Sequence, residues 1–453
     1  MASEKALFRT KLGMLAAMVG TSVGLGNIWR FPAVVQENGG GAFLLIYLCC
    51  VLLLGIPASI GKCIVGRAGR GDIYGSLVNL KAKRPWLIVP VIAIVACVII
   101  EGYYLVVTGW TVEYFWYSIT GDLFAANPAA GSNLFEGKMH EYIQTAAPPI
   151  IATVVALVIT MSTIIGGVQK GIERASKIMM PALFLIVLIF FVVSLTLPGA
   201  MEGYKYFLMP DFSKVTATTF LSALGQTFFS LSLGFGALTT YASYYPKDAN
   251  IGATSLRVAL LDLSVAVMMG LIIFPAVMSF DMQGQSLQGT TLAFVTLPQV
   301  FVAMGNAQLW GTLFFALVAL AAISTCISMA EVLVAFMNGR FGMGRLKACL
   351  IVSVPIIVIS VLSSLSLGPW SDFTVGGRSF FDFMDYVSGN YFLPLAAGGM
   401  CFWLAWFAPK GLIKDELTNY GSLRAPYYPA VRFALRYIVP VLIFIIFITS
   451  ILQ

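Results

Sequence analysis

The chain has 453 residues, of which 59% are hydrophobic and only 10% charged, with a mean hydropathy of +0.90. A soluble domain carries about 25% charged residues, so this composition excludes a water-soluble globular protein and identifies an integral membrane protein. The net charge of +7 is not a nucleic-acid patch, because the basic residues are scattered through short loops between apolar runs.

The first residues lack the charged start, short apolar core and small-residue cleavage site of a signal peptide, so none is expected. A spanning helix needs about 20 mostly apolar residues. Eleven segments qualify in chain order: 12–36, 41–66, 86–119, 148–166, 177–197, 217–244, 255–280, 307–337, 346–365, 380–407 and 433–452. Several exceed what a bilayer needs, which leaves room for tilt or interruption. The loops 120–147 and 281–306 are rich in Gly, Asn, Gln, Ser and Pro, with little that reads as a separate folded unit. The expected fold class is all-α and polytopic, with 1–453 as a single transmembrane domain.

Lysine and arginine set the orientation. With the N-terminus inside, the cytoplasmic stretches collect Lys5, Arg9 and Lys11, the group from Lys62 to Arg84, then Lys170, Arg174 and Lys177. Lys247 and Arg257 follow, then Arg340, Arg345 and Lys347, then the group from Lys410 to Arg436. The outer loops hold Lys138, Lys205, Lys214 and Arg378, and Arg30 lies within segment 1. This asymmetry predicts a cytoplasmic N-terminus and, with eleven spans, an extracellular C-terminus.

Segment 1 contains Gly20-Thr21-Ser22-Val23-Gly24-Leu25-Gly26-Asn27, and segment 6 contains Ser230-Leu231-Ser232-Leu233-Gly234-Phe235-Gly236. Glycine costs about 1 kcal/mol in a helix relative to alanine, so each Gly-X-Gly favours local unwinding, although close packing through small residues remains open. Backbone freed inside a membrane must be buried in protein or line a polar cavity. The breaks lie five segments apart and so occupy matching positions in two halves of opposite topology, the pattern of a transporter site at an inverted-repeat interface. Half-helix N-termini suit a carboxylate, and C-terminal halves end in free carbonyls, which suit a small hard cation such as sodium. In segment 8, Ala321, Ser324 and Thr325 share a helix face. The two hydroxyls either bond to a carbonyl one turn back or complete an oxygen cage.

Charges inside spans are functional hypotheses by default. Arg30, outward of the first break, and Asp385, at the outer end of segment 10, are candidates for an ion pair lidding the site, with purely structural pairing as the alternative. Asp262 in segment 7 has no basic residue within four positions, and a bound cation would compensate it. Glu101 and Glu331 also lie in spans without an assigned role. The seven cysteines include no CxxC pair, and His140 is the single histidine. The cysteines read as small buried hydrophobes, and neither an intramembrane enzyme nor a channel with a repeated filter is expected.

VGTSVGLGNIWRFP (19–32), ENGGGAF (37–43), GQTFFSLSLGFGALTTYASY (225–244) and MDYVSG (384–389) resemble the neurotransmitter:sodium symporter family. The likeness runs along essentially the whole chain and is strongest to the bacterial amino-acid branch with eleven helices. The rule on paired breaks was itself framed on this family, so agreement with it is not independent support. The resemblance implies inverted repeats over about 1–197 and 217–407, with 433–452 as an extra helix. It implies two sodium sites: one from Ser22, Asn27, Ser230, Asp262 and the substrate carboxylate, the other from Gly20, Val23, Ala321, Ser324 and Thr325. Substrate would lie against Thr21, Ser22, Leu25, Gly26, Ile100, Tyr104, Phe229, Ser230, Ser232, Phe235, Thr325 and Met329. The outer gate would be Tyr104 and Phe229 beneath Arg30 and Asp385.

Three departures stand out. Gly339 replaces an acidic residue that closes the inner side in the family, leaving Lys5 without an evident partner. Phe8 replaces a tryptophan. Asp262 and Ala266 replace an asparagine and a serine that, with groups matching Tyr47, Gln226 and Ser230, hold chloride in animal relatives. The resemblance therefore implies a sodium-coupled symporter for neutral, hydrophobic or aromatic L-amino acids in a bacterial plasma membrane. It would use two Na+ ions, no chloride and no nucleic acid. A proton-coupled transporter of similar fold, with Asp262 titrating, is the alternative.

Overall fold

The computed structural model describes residues 7–125, 134–282 and 289–452. Among these, eight helices are long and apolar enough to cross a bilayer: Gly41–Gly69, Arg84–Thr120, Ala147–Ile165, Val168–Ser194, Ile251–Ser279, Ala307–Phe341, Arg345–Leu367 and Tyr428–Thr449. The pair Lys11–Ser22 and Gly26–Glu37, bent by 55°, makes a ninth by the same measure. Helices Ala217–Ser230 and Ala237–Ala242 occupy segment 6, and helical turns run through segment 10 from Phe380 to Trp406.

Local chemistry places the helix ends. Thr10 caps the first helix by accepting from Gly13 N at 3.0 Å. Asn250 caps Ile251–Ser279 by accepting from Ala253 N at 3.0 Å. Thr216 and Thr219 form a reciprocal capping box before Ala217–Ser230, and each such pairing satisfies amides the helix leaves open. Gly121, at φ +87°, and Gly342, at φ +64°, end the helices of segments 3 and 8 in the left-handed conformation that glycine adopts without strain.

Burial grades from centre to rim. In the most apolar stretch of Ala307–Phe341, 78% of residues are buried, against 28% for Val168–Ser194 and for Tyr428–Thr449. Segment 8 is therefore central, while segments 5 and 11 turn rows such as Leu185, Leu188, Val192 and Leu195 outward, where lipid is the natural solvent.

Two readings of the sequence are corrected. The loops 120–147 and 281–306 hold helices of their own, Leu134–Gln144 and Leu297–Met304, whose Phe135, Met139, Tyr142 and Phe301 are buried. The first of these is amphipathic, and the Gly, Asn and Ser around it hid its period. Lys62 is not in a cytoplasmic stretch but inside the helix Gly41–Gly69, 1% exposed. Six of the seven cysteines are buried and Cys49 is exposed.

Candidate functional site

Segment 1 leaves the helix at Val23, whose ψ of 107° is extended, and resumes at Gly26. Segment 6 leaves it after Ser230 and resumes at Ala237. The intervening stretch contains Ser232 at φ +51° and Gly236 at φ +85°. A left-handed serine persists only where its surroundings hold it. Here the hold is direct: Ser232 Oγ donates to Thr21 O at 2.5 Å, tying one break to the other.

A buried polar knot lies beside them. Asn27 Nδ2 donates to Asp262 Oδ1 at 2.8 Å and lies 3.1 Å from both Asp262 O and Ser230 Oγ. Ser230 Oγ donates to Asp262 Oδ2 at 2.7 Å. Gln226 Nε2 donates to Gly26 O at 3.1 Å. Asp262 is 1% exposed and forms no ion pair among the described residues. Among the described residues, the buried Ser22 hydroxyl, close by in sequence, has no hydrogen-bond partner, and neither do the Tyr47 hydroxyl and Gln226 Oε1. Buried orphan oxygens next to an unpaired carboxylate are what a hard cation needs, so this residue set fits sodium.

The second set also converges. A Cβ added to Gly20 would lie 3.4 Å from Ser324 Cβ, and one on Gly24 would lie 2.7 Å from Thr325 Oγ1. Segment 1 therefore presents its glycines to the segment 8 hydroxyls. Ser324 Oγ and Thr325 Oγ1 both donate to Ala321 O, at 2.9 and 3.1 Å, the turn-back bond expected of such residues. Val23 and Ala321 are fully buried.

Tyr104 sits where segments 1, 3 and 8 meet. Its hydroxyl accepts from Leu25 N at 3.3 Å and would lie 3.3 Å from a Cβ on Gly24. Ile100, Phe235 and Met329 are buried. Phe229 lies over Gly26, its Cδ1 2.9 Å from where a Cβ would sit. Glycine is required here by close approach, whatever the backbone angle.

Arg30 and Asp385 do not pair with each other among the described residues. The Arg30 guanidinium lies 4.4 Å over the Phe229 ring, while Asp385 Oδ1 accepts from Tyr103 OH at 2.8 Å. Both side chains are exposed, where an ion pair gains little over hydration and Arg30 finds an aromatic face instead. Tyr103 was missed in the sequence. The Tyr-Tyr doublet was its signal, because neighbours in a helix point about 100° apart and can serve two layers.

The start of segment 1 is held by packing and hydrogen bonds. Phe8 packs edge-on against Tyr241 and Tyr244, with ring centres 6.1 Å away in each case, and its N–H donates to Tyr244 O at 3.0 Å. Glu331 accepts from Tyr244 OH at 2.6 Å and pairs with Arg345, which gives that carboxylate a structural place. Glu173 accepts from Arg9 N at 2.7 Å, Thr10 N at 3.1 Å and Thr10 Oγ1 at 2.7 Å, and pairs with Lys177. It thus fastens the start of segment 1. At Gly339 a Cβ would lie 2.7 Å from Asp72 Oδ2, so a carboxylate from another loop occupies that space. Lys5 lies outside the described residues. Glu101 is fully buried, and neither carboxyl oxygen has a hydrogen-bond partner among the described residues.

Comparison with known proteins places the chain among its relatives. The family model described as Sodium:neurotransmitter symporter family matches residues 5–134 and 132–453. An uncharacterized sodium-dependent transporter of Bacillus subtilis is 35% identical over 98% of this chain and 97% of its own length. Another, from Haemophilus influenzae, is 33% identical over 99% of this chain and 98% of its own length. The solved structure of MhsT in complex with L-phenylalanine superposes with a TM-score of 0.89, covering 99% of this chain and all of that one at 34% identity.

Proposed function

The chain belongs to the sodium:neurotransmitter symporter family, and on that premise we propose that it imports a neutral, hydrophobic or aromatic L-amino acid together with two sodium ions. Membership already makes it a multi-pass membrane transporter and not an enzyme. The observation that carries the finer reading is the meeting of two breaks. The hydrogen bond from Ser232 to Thr21 O joins them, and Asn27, Ser230 and Asp262 form one buried knot next to the orphan Ser22 hydroxyl.

On this reading Ser22, Asn27, Ser230 and Asp262 hold one sodium with the substrate carboxylate. Carbonyls of Gly20, Val23 and Ala321, with the hydroxyls of Ser324 and Thr325, hold the other. Tyr104 meets the carboxylate. Apolar Ile100, Phe235 and Met329 take a hydrophobic side chain, supported by the L-phenylalanine in the MhsT structure. Phe229 closes over it, and Arg30 then leaves the Phe229 face to pair with Asp385. Inward release follows when the seal around Phe8 loosens. Eleven spans in a 5+5 inverted repeat, with the N-terminus cytoplasmic and the C-terminus extracellular in a bacterial plasma membrane, complete the proposal. Asp262 serves as fixed negative charge and makes chloride unnecessary.

Uptake of a radiolabelled amino-acid panel into proteoliposomes, with and without an inward sodium gradient at fixed pH, tests this. Accumulation of neutral apolar amino acids that needs sodium is expected. Equal accumulation without sodium, driven by a proton gradient, would overturn it.

A further inference from the structure

Asp72, Glu173, Asp262, Glu331 and Glu416 are buried, and each accepts a hydrogen bond. Glu101 breaks this pattern. It is fully buried in the span Arg84–Thr120, and neither carboxyl oxygen has a hydrogen-bond partner among the described residues. An acid inside a span is a functional hypothesis by default, and one left without partners calls for a group that binds to it.

The surroundings show where this side chain lies. Helical spacing puts Cys97, Glu101, Tyr104 and Thr108 on one stripe of segment 3. Both ends of the stripe touch segment 8. Cys97 Sγ donates to Met329 O at 3.2 Å, and Thr108 Oγ1 lies 3.3 Å from Cys326 Sγ. Cys97, Tyr104 and Cys326 are all in electrostatic reach of Glu101. Segment 9 covers a different side, where a Cβ on Gly102 would meet Ile359 Cγ2 at 2.4 Å. Glu101 therefore sits in the seam between segments 3 and 8, facing residues 326–329.

That seam backs the substrate site proposed above. Ile100 and Tyr104 flank Glu101 on segment 3, and Thr325 and Met329 flank Cys326 on segment 8. Tyr104, its hydroxyl on Leu25 N, marks the end that takes the carboxylate. Glu101 lies three residues back along the helix, about 4.5 Å of rise, and helical side chains lean further toward the N-terminus. Its carboxyl thus comes to the level of Ile100 and Met329, where the substrate side chain ends. The wall there is apolar, and a carboxyl offers an acceptor oxygen in either protonation state. An aromatic ring bearing one N–H or O–H matches both.

We propose that Glu101 is a specificity-determining residue of the substrate site, its carboxyl accepting the indole N–H of L-tryptophan or the phenol O–H of L-tyrosine. The inference rests on the function proposed above and narrows its substrate class to aromatic amino acids with a donor on the ring. L-phenylalanine, the ligand in the MhsT structure, has the ring without the donor. A site with a stranded acceptor discriminates against a ligand that leaves it unfilled.

The test is equilibrium binding by titration calorimetry on the purified full chain, with and without sodium. The ligands are two matched pairs. L-tyrosine is set against L-phenylalanine, and L-tryptophan against its benzothiophene analogue, in which sulfur replaces the indole N–H. The donor-bearing member of each pair should bind about 10- to 100-fold more tightly. Glu101→Met should bring both ratios close to one, and Glu101→Gln, whose amide oxygen still accepts, should keep most of the difference. Equal affinities within each pair for the wild type, or ratios unchanged in Glu101→Met, would overturn the proposal. So would tighter binding of L-lysine or L-arginine, whose cations would pair with an ionised carboxylate. If Glu101→Met does not fold, the wild-type pairs decide, because they need no variant. Absence of sodium-dependent binding by every amino acid counts against the functional reading, whereas sodium-dependent binding with no preference within the pairs counts against this inference alone.

Discussion

Removing the charge of Asp262 is the sharpest perturbation of the site. The carboxylate is 1% exposed and receives Asn27 Nδ2 at 2.8 Å and Ser230 Oγ at 2.7 Å. Asparagine there keeps the shape but not the charge. Two opposite unit charges about 4 Å apart are worth roughly 4 kcal/mol at an effective dielectric of 20. Part of that is returned because a neutral amide is cheaper to bury. A net loss of about 3–4 kcal/mol corresponds to roughly a 100- to 1000-fold weaker apparent sodium affinity. Wild-type uptake should be unchanged when chloride is exchanged for gluconate, and Asp262→Asn should be badly impaired in both salts. Ala266 is fully buried one turn further along segment 7, and Tyr47 OH and Gln226 Oε1 have no hydrogen-bond partner among the described residues. Asp262→Asn with Ala266→Ser should therefore recover some uptake, now dependent on chloride. Chloride dependence in the wild type, or full chloride-free uptake in Asp262→Asn, would refute the assignment of Asp262 as the compensating charge.

Other outcomes follow from the same geometry. Ser324→Ala with Thr325→Ala should abolish sodium-driven uptake while the protein still folds, because both hydroxyls bond back to Ala321 O within their own helix; retained sodium dependence would remove them from the second site. Asp385→Asn should slow uptake more than it weakens equilibrium substrate binding, and identical kinetics would mean that the outer pair is structural. In Gly24→Ala the new methyl meets Thr325 Oγ1 at 2.7 Å, an overpacking cost of about 1–3 kcal/mol; radioligand binding should weaken about tenfold or more, and undiminished binding would show that the wall yields. Glu416→Ala leaves Arg67, itself 3% exposed, without its ion-pair partner. A loss of about 3–5 kcal/mol should appear as a lower melting temperature in detergent, and a shift near zero would contradict the burial.

The chain itself determined its solvent, its helical class and where its helices fail. Those properties are local. Too few charges for water, runs long enough for a bilayer, and Gly-X-Gly inside such runs each act within a turn or two of backbone. The hydroxyls of Ser324 and Thr325 were legible for the same reason, since helical period alone puts them on one face.

Tertiary structure alone decided which faces meet. Asn27 finds Ser230 and Asp262 from 203 and 235 residues away, and no periodicity encodes such a meeting. Tyr103, not Arg30, donates to Asp385, while Arg30 rests on Phe229. Asp72 fills the space at Gly339 from a loop that sequence spacing does not connect to segment 8. Lys62 reads in sequence as one basic residue of a cytoplasmic group. Only the packing of neighbouring helices, with Gly55 on Leu231 and Gly66 on Thr239, leaves it 1% exposed, because a helix specifies the direction of its side chains but not the neighbour they will meet.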